Sequence, residues 1–555
     1  MLLLAAWAGS LAAMLVWLGR TPATTLRDQL VRWQFWSLEL TAYLALAAGA
    51  YVITDISKRL SRQDALRMLV LATVAAGLTL FVAPRTNRIF YDEQIYQGIG
   101  HNLADQHRAQ MCLDGNVEYG RLECVVGEYN KQPYAYPHLL SLVYRIAGVD
   151  ERWAFLLNAV ANALTVCAVF LVTLLLFEDR TAALLAGLVL SLTPHQLIWS
   201  ATAAVEPMAS LACLTAVVGM ANFVRVRTVA ALAAAGLLAA YAIQFRVESI
   251  LIFAVVALLL VALAREELFT PALWWVALGV FALTAMHLAQ LYSVRAEGWG
   301  TTEARLSLRY VVPNFRVNGL FYVADERFPV LYTVLALVGL LHSPRAIGAS
   351  LLTYFLAFFG IGLLFYAGSY DYGADIRYSL MTYPPLAVLA GVGGARLAHW
   401  LEQTSLRKRT VRLVSGGLVI QFLWYSPVVR ATTQEAWAAR ADVGFAKAVA
   451  KTLPPNSYVL THNPGMFHLW RVNAGQLSLV IDQPARLQML SERYAGGVYL
   501  HWNFWCNVAD PVQKDLCRRA AETSSWETTV EYRERDARYR FDRLVSPHAP
   551  VHKPQ

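Results

Sequence analysis

Two adjacent carboxylates, Asp92 and Glu93, stand in the stretch PRTNRIFYDEQIYQ, and Lys131 follows in NKQPYAYP. A carboxylate can accept a proton or hold a hydroxyl, and a lysine can hold a phosphate. These residues lie between apolar runs, where ionisable groups are costly to keep unless they serve a function. Glu206 in WSATAAVEPM, Arg246 and Glu248 in QFRVES, and Asp371, Asp375 and Arg377 in SYDYGADIRYSL stand at the edges of other apolar runs. Taken singly, each is an ordinary boundary residue or half of an ion pair. Asp92 has the place of a helix cap before QIYQGIGHNL, and Lys131 that of an interfacial lysine. Arg246 and Glu248, two apart, would not pair on one helix face.

One chemistry uses these residues together. The bond between a sugar and a lipid-linked phosphate breaks without added acid once the phosphate charge is neutralised. Two tasks remain: cations must hold the leaving phosphate, and a carboxylate must take the proton of the attacking acceptor. Lys131, Arg246 and Arg377 are candidates for the first task and Asp92 for the second. Glu93 and Glu206 could orient Asp92, bind the sugar or acceptor, or share a divalent cation such as Mg or Mn. A direct displacement with one base inverts the anomeric carbon, unlike the retaining arrangement of two carboxylates. The histidines lack ligand spacing such as HExxH and none is assigned to a metal.

The elements that must position these groups are membrane helices. The 555 residues are 57% hydrophobic and only 15% charged, the composition of an α-helical polytopic membrane protein. The net charge of +9 does not point to nucleic acid, because the basic residues fall mostly in short loops between spans. Apolar runs fall at 1–19, 35–54, 66–83, 153–177, 182–199, 205–224, 228–245, 248–264, 271–292, 328–342, 346–366, 378–400 and 411–427, giving about thirteen transmembrane helices. The first run reads as a retained span, since it lacks a basic leader and a small-residue cleavage site, with a cleaved signal peptide as the alternative. Segment 136–149 reads as a re-entrant or interfacial helix.

With the N-terminus in the cytoplasm, the loops holding Lys58, Arg59 and Arg62, then Arg225 and Arg227, then Arg407, Lys408, Arg409 and Arg412 fall inside, as the positive-inside rule requires. The 20–34 loop with its three arginines is the exception. An odd number of spans puts the tail outside, and the acidic–basic clusters then share that face. This implies one polar cavity opening outward at the membrane surface.

Cys112 and Cys124 share one polar loop, and Cys506 and Cys517 share the tail. Two local pairs suggest two disulfides and an oxidising exterior for both. Free thiols, or a Cys/His metal site with His501 nearby, stay open as alternatives. Cys167 and Cys213 sit in apolar runs as packing residues. The chain therefore divides into a transmembrane region at 1–427, with an exterior loop at 84–152, and a tail at 428–555. The tail reads as a small extracytoplasmic α/β domain of about 120 residues. Within it KTLPPNSYVLTHN reads as a helix end, a turn and a strand, GGVYLHWNFWC as another strand, and the final SPHAPVHKPQ as disordered. The tail tryptophans serve either the core or carbohydrate stacking.

YDEQIYQGIGHNLADQ, followed after a loop by NKQPYAYPHLLSLVYRIAG, resembles the first exterior loop of membrane glycosyltransferases with the GT-C fold. The similarity is to the branch that includes protein O-mannosyltransferases and lipid A aminoarabinose transferases. SLTPHQLIWSATAAVEPMASL resembles the second acidic motif of that branch, and DIRYSLMTYPPLAVLAG its Arg-Tyr before a proline-containing span. Together these motifs cover roughly residues 66 to 400. The resemblance implies a multi-pass protein of the inner (plasma) membrane with a periplasmic active site. Its donor would be a polyprenyl-phosphate sugar and its acceptor a glycan, lipid or protein. Asp92 would match the essential loop carboxylate, Lys131 a residue contacting donor phosphate, and Arg377 and Tyr378 residues near the lipid phosphate. Three departures stand out. Glu206 replaces the more usual Asp, Gln132 replaces a proline, and extra apolar segments precede the Asp-Glu loop. The competing class is a transporter or flippase of a lipid-linked saccharide, which should show midplane charges and related halves. Here the charges crowd one face and no internal repeat is visible.

Overall fold

The computed structural model describes residues 2–295, 297, 304–324, 327–371, 374–402, 410–432, 436–483, 485–508 and 510–547. Arg407, Lys408 and Arg409 of the basic loop expected inside, Tyr372 and Gly373 of SYDYG, and the final stretch from His548 lie outside the described residues. The chain forms two compact units. One comprises Met1–Thr86, Lys131–Ala135 and Ala154–Thr432; the other comprises Asn87–Asn130, Tyr136–Trp153 and Thr433–Gln555.

The first unit is helical, and each of the thirteen apolar runs coincides with helical structure. Among the described residues seven helices are long and apolar enough to cross a membrane: Leu2–Arg20, Ala23–Ser57, Arg62–Phe81, Arg152–Phe177, Glu206–Val226, Pro271–Ser293 and Arg345–Leu364. Arg180–Ser191 and Pro194–Ser200, bent by 59°, make an eighth if they form one span. The chain is thus a multi-pass membrane protein. The remaining runs form shorter or more polar helices, because a hydropathy run reports burial and not the length of the helix beneath it.

One expectation is corrected here. The 20–34 stretch is not a loop: the 35-residue helix Ala23–Ser57 runs through most of it. Leu26, Leu30, Phe35 and Leu38 are buried along one side, so a helical seam continues through this stretch. A further helix, Val311–Val323, lies outside the thirteen apolar runs. Helices Val330–His342 and Tyr383–Glu402 touch at glycines. A Cβ on Gly339 would lie 1.8 Å from the Leu389 carbonyl oxygen, and one on Gly393 would lie 1.9 Å from that of Leu335. Small residues let the two backbones meet, which anchors the helix that follows Arg377 and Tyr378.

The second unit is built on a mixed sheet. Its strands are β1 (Met111–Glu118), β2 (Arg121–Glu128), β3 (Tyr458–Thr461), β4 (Asn473–Gln476), β5 (Val498–Trp502), β6 (Ser524–Glu534) and β7 (Ala537–Pro547), in the order β2-β1-β4-β3-β5-β7-β6. β3 is parallel to β4 and β5, and the other pairs are antiparallel. Successive residues of β3 and β5 alternate between two cores: Val459 and Tyr499 face one, and Tyr458, Leu460, Val498 and Leu500 the other, as the pleat requires. Both suspected disulfides form, Cys112–Cys124 and Cys506–Cys517, with Cα separations of 5.6 and 5.7 Å. The 136–149 stretch is the helix Ala135–Ala147, closed by Gly148 at φ +78°.

The 84–152 stretch, expected as one exterior loop, is therefore divided. Lys131–Ala135 packs with the membrane helices, while its flanks join the tail. The cause is a strand pairing, Asp114 with Gly475 and Gly115 with Ala474, between segments that lie far apart in the chain.

Candidate active site

Glu206 is the first residue of helix Glu206–Val226, and the turn before it is held from the side. Asn158 donates through Nδ2 to the carbonyls of Thr202 at 2.8 Å and Ala204 at 2.7 Å, which closes the bend after Pro194–Ser200. One turn into the helix, the Ser210 hydroxyl donates to the Leu380 carbonyl at 3.3 Å. That contact ties the Glu206 helix to the 3₁₀ segment Asp375–Thr382, which carries Arg377 and Tyr378.

Two guanidinium groups meet on this carboxylate. Arg377 donates through Nε to Glu206 Oε1 at 2.9 Å, and Arg246 donates through Nη1 to the same oxygen. Both cations also lie on the Tyr378 ring, at 5.0 Å for Arg246 and 4.8 Å for Arg377 from its centroid, within cation–π range. Glu206 is 1% exposed and its Oε2 has no hydrogen-bond partner among the described residues, whereas Arg246 and Arg377 keep 13% and 12% exposure. Arg246 and Glu248 do pair, against the helical-face argument. Arg246 is extended, with φ −145° and ψ 154°, ahead of a 3₁₀ turn, so the helical spacing rule does not apply at this step. The side chain of Asp375 lies outside the described residues, and Asp371 pairs with Arg327 at 3.1 Å.

Lys131 opens a five-residue segment of the same unit, hung between two helices. The Gln132 carbonyl accepts from Gln290 Nε2 at 2.7 Å, and Gln290 Oε1 in turn accepts from Gln34 at 2.8 Å. At the other end the Ala135 amide donates to the Gln244 carbonyl at 3.2 Å, two residues before Arg246. Sequence reasoning did not single out Gln34, Gln290 or Asn158. The signal was present, since each is an uncharged polar residue inside an apolar run.

Asp92 and Glu93 belong to the other unit, at the start of helix Asp92–Gln106. Tyr91 is the N-cap, so Asp92 is the first helical residue and not the cap. A carboxylate there suits the positive end of the helix dipole. Glu93 is fully buried and its Oε1 accepts from the amides of Arg88 at 2.7 Å and Ile89 at 3.2 Å, folding the preceding chain back on the helix. Buried Arg88 is pulled down to about 10 by burial and by Arg440, against the opposing pull of Glu93.

Of the two glutamates considered for Mg or Mn, Glu206 commits Oε1 to two guanidinium groups and Glu93 commits Oε1 to two amides. Among the described residues one group, His462 with Cys506 and Cys517, has the spacing of metal ligands. Its two sulfurs are joined as a disulfide, and an intact disulfide supplies no thiolate. His501 pairs with Asp442 at 2.9 Å instead of joining that group.

The fold is that of the GT-C membrane glycosyltransferases, as the sequence resemblance implied. Within the chain, residues 131–289, which contain Lys131, Glu206 and Arg246, match the family described as dolichyl-phosphate-mannose-protein mannosyltransferase. The crystal structure of ArnT from Cupriavidus metallidurans in the apo state is similar with a TM-score of 0.55 and 15% identity, over 88% of this chain and 99% of that one. ArnT bound to undecaprenyl phosphate gives 0.52 and 16%, over 89% and 100%. The archaeal oligosaccharyltransferase AglB from Archaeoglobus fulgidus, in complex with an inhibitory peptide and a dolichol-phosphate, gives 0.50 and 12%, over 88% and 75%. At these identities the likeness concerns the fold. No curated protein matches the chain by sequence.

Proposed function

We propose that this chain is an inverting glycosyltransferase that moves a sugar from a polyprenyl-phosphate donor to an extracytoplasmic glycan, lipid or protein. The observation that carries the reading is the convergence of Arg246 and Arg377 on Glu206 and Tyr378. Two partly exposed guanidinium groups fixed at one point form a fork for a phosphate. ArnT and AglB, which share the fold, have been captured with undecaprenyl phosphate and dolichol-phosphate.

In this reading Asp92 takes the proton of the acceptor hydroxyl as its oxygen attacks the anomeric carbon. The bond from that carbon to the phosphate oxygen breaks with inversion, and the phosphate departs with the electron pair. Arg246, Arg377 and Lys131 hold its charge. Glu206 keeps the two guanidinium groups fixed before the donor arrives. The fold supports this reading over the transporter or flippase that polar residues in a helix bundle also allow.

The test is transfer from labelled polyprenyl-phosphate sugars by the reconstituted protein. Asp92→Asn should lower turnover by about 10²- to 10⁴-fold, the usual contribution of a positioned base, while donor binding persists. Full turnover in that variant would remove Asp92 from the mechanism. Mass spectrometry of lipids and glycans from cells lacking the protein would name the sugar and acceptor.

A further inference from the structure

Asp442 lies in helix Trp437–Ala450 and is completely buried. A carboxylate in such a place is expensive unless its oxygens are matched, and here they are. Oδ1 pairs with His501 Nε2 at 2.9 Å, while Oδ2 accepts from the Phe504 amide at 3.2 Å and from the Tyr91 hydroxyl. The other nitrogen of His501, Nδ1, meets the Thr461 hydroxyl at 3.1 Å, and the ring stacks on Phe541 at 4.7 Å. Strands β3 and β5 and one helix of the tail thus converge on a single hydroxyl outside the tail, and that hydroxyl belongs to the residue before Asp92.

The backbone at this point needs holding. Phe90 has φ +33°, a left-handed conformation that L side chains rarely adopt, and such strain persists only where the surroundings over-determine it. Its ring stacks on Phe504 at 5.4 Å, the residue whose amide is bound to Asp442. Tyr91 offers no side-chain cap to the helix it precedes. Burial, and then Asp442, push the Tyr91 hydroxyl well above its ordinary range, so it remains a donor.

We propose that Asp442 is a positioning residue for the transfer reaction: through Tyr91 it fixes the start of helix Asp92–Gln106 and therefore the aim of the Asp92 carboxylate. This rests on the reading of Asp92 as the base. It also gives the tail a task, holding the base-bearing helix in register.

The experiment compares Tyr91→Phe, Asp442→Asn, their combination and Asp92→Asn in the full-length reconstituted protein. Turnover, donor KM, thermal unfolding and amide hydrogen exchange over residues 88–95 are read for each. Tyr91→Phe, which removes one oxygen, should lower kcat roughly 10- to 100-fold, as a misplaced catalytic group does. Donor KM and the unfolding temperature should hold, and exchange over 88–95 should quicken. The double variant should lose no more kcat than Asp442→Asn alone, because both substitutions remove the Tyr91–Asp442 contact. Wild-type kcat in both single variants, with Asp92→Asn inactive, would overturn the positioning role and leave the base assignment standing. A loss of kcat that only tracks unfolding would overturn it too. If Asp92→Asn is fully active, the base reading fails by itself, and unchanged exchange over 88–95 in Tyr91→Phe would then sink the claim that Asp442 holds the helix.

Discussion

Arg246 and Arg377 in the membrane unit keep 13% and 12% of their side chains exposed, whereas Asp442 and His501 in the sheet-bearing unit keep none. Beside the first pair, Glu206 Oε2 has no partner among the described residues. In the second, both carboxylate oxygens and both ring nitrogens have partners. Buried polar groups that are fully matched make a structure rigid and specific. Guanidinium groups that keep some exposure can still meet a charged ligand. In the proposed function the first place binds an anion and the second holds a helix.

The largest expected effect falls where neither region is touched directly. Asp92→Asn should lose turnover by about 10²- to 10⁴-fold with donor KM unchanged. Next comes Arg377→Lys, which keeps the charge but loses the planar fork. Donor KM should rise by roughly 10- to 100-fold, the worth of one charge-assisted hydrogen bond, with a smaller change in kcat. An unchanged KM would leave the cluster structural and erase the contrast.

The sheet-bearing unit answers to stability measurements instead. Replacing Cys506 and Cys517 together by serine opens a loop of sequence separation 11 and should cost about 2 to 4 kcal/mol in denaturant unfolding. Its histidines predict a pH dependence. Burial holds His462 and His468 at about 4, against 6.5 when unfolded. The unfolded chain therefore binds more protons between those values, and stability should fall as pH drops from 6.5 towards 4. Thermal unfolding at intervals across that window checks the sign, and a midpoint that rises on acidification contradicts it. The smallest effect is expected from Gln290→Leu, which frees the Gln132 carbonyl at a cost of about 1 kcal/mol. Donor KM should rise by only about fivefold, read in the same transfer assay.

Much of this arrangement was legible in the residues because it depends on local pattern. Apolar runs became helices, the cysteines paired within their own segments, and YVLT and VYLHW became β3 and β5. Glu206 and Arg377, read from separate motifs, meet. What escaped depends on distance along the chain or on one unusual backbone step. The hairpin of β1 and β2 extends a sheet formed by the tail, and no hydropathy window spans both. Arg246 reaches Glu248 because its backbone is extended where a helical step was assumed. Asp442 stands in none of the motifs, and only the fold brings Tyr91 to it.

Equilibrium binding of undecaprenyl phosphate to the purified wild-type protein, Asp92→Asn and Arg377→Lys separates the two regions most directly. The division of labour predicts that Asp92→Asn binds as wild type does while Arg377→Lys binds at least about tenfold more weakly. Weak binding by Asp92→Asn with normal binding by Arg377→Lys would contradict it.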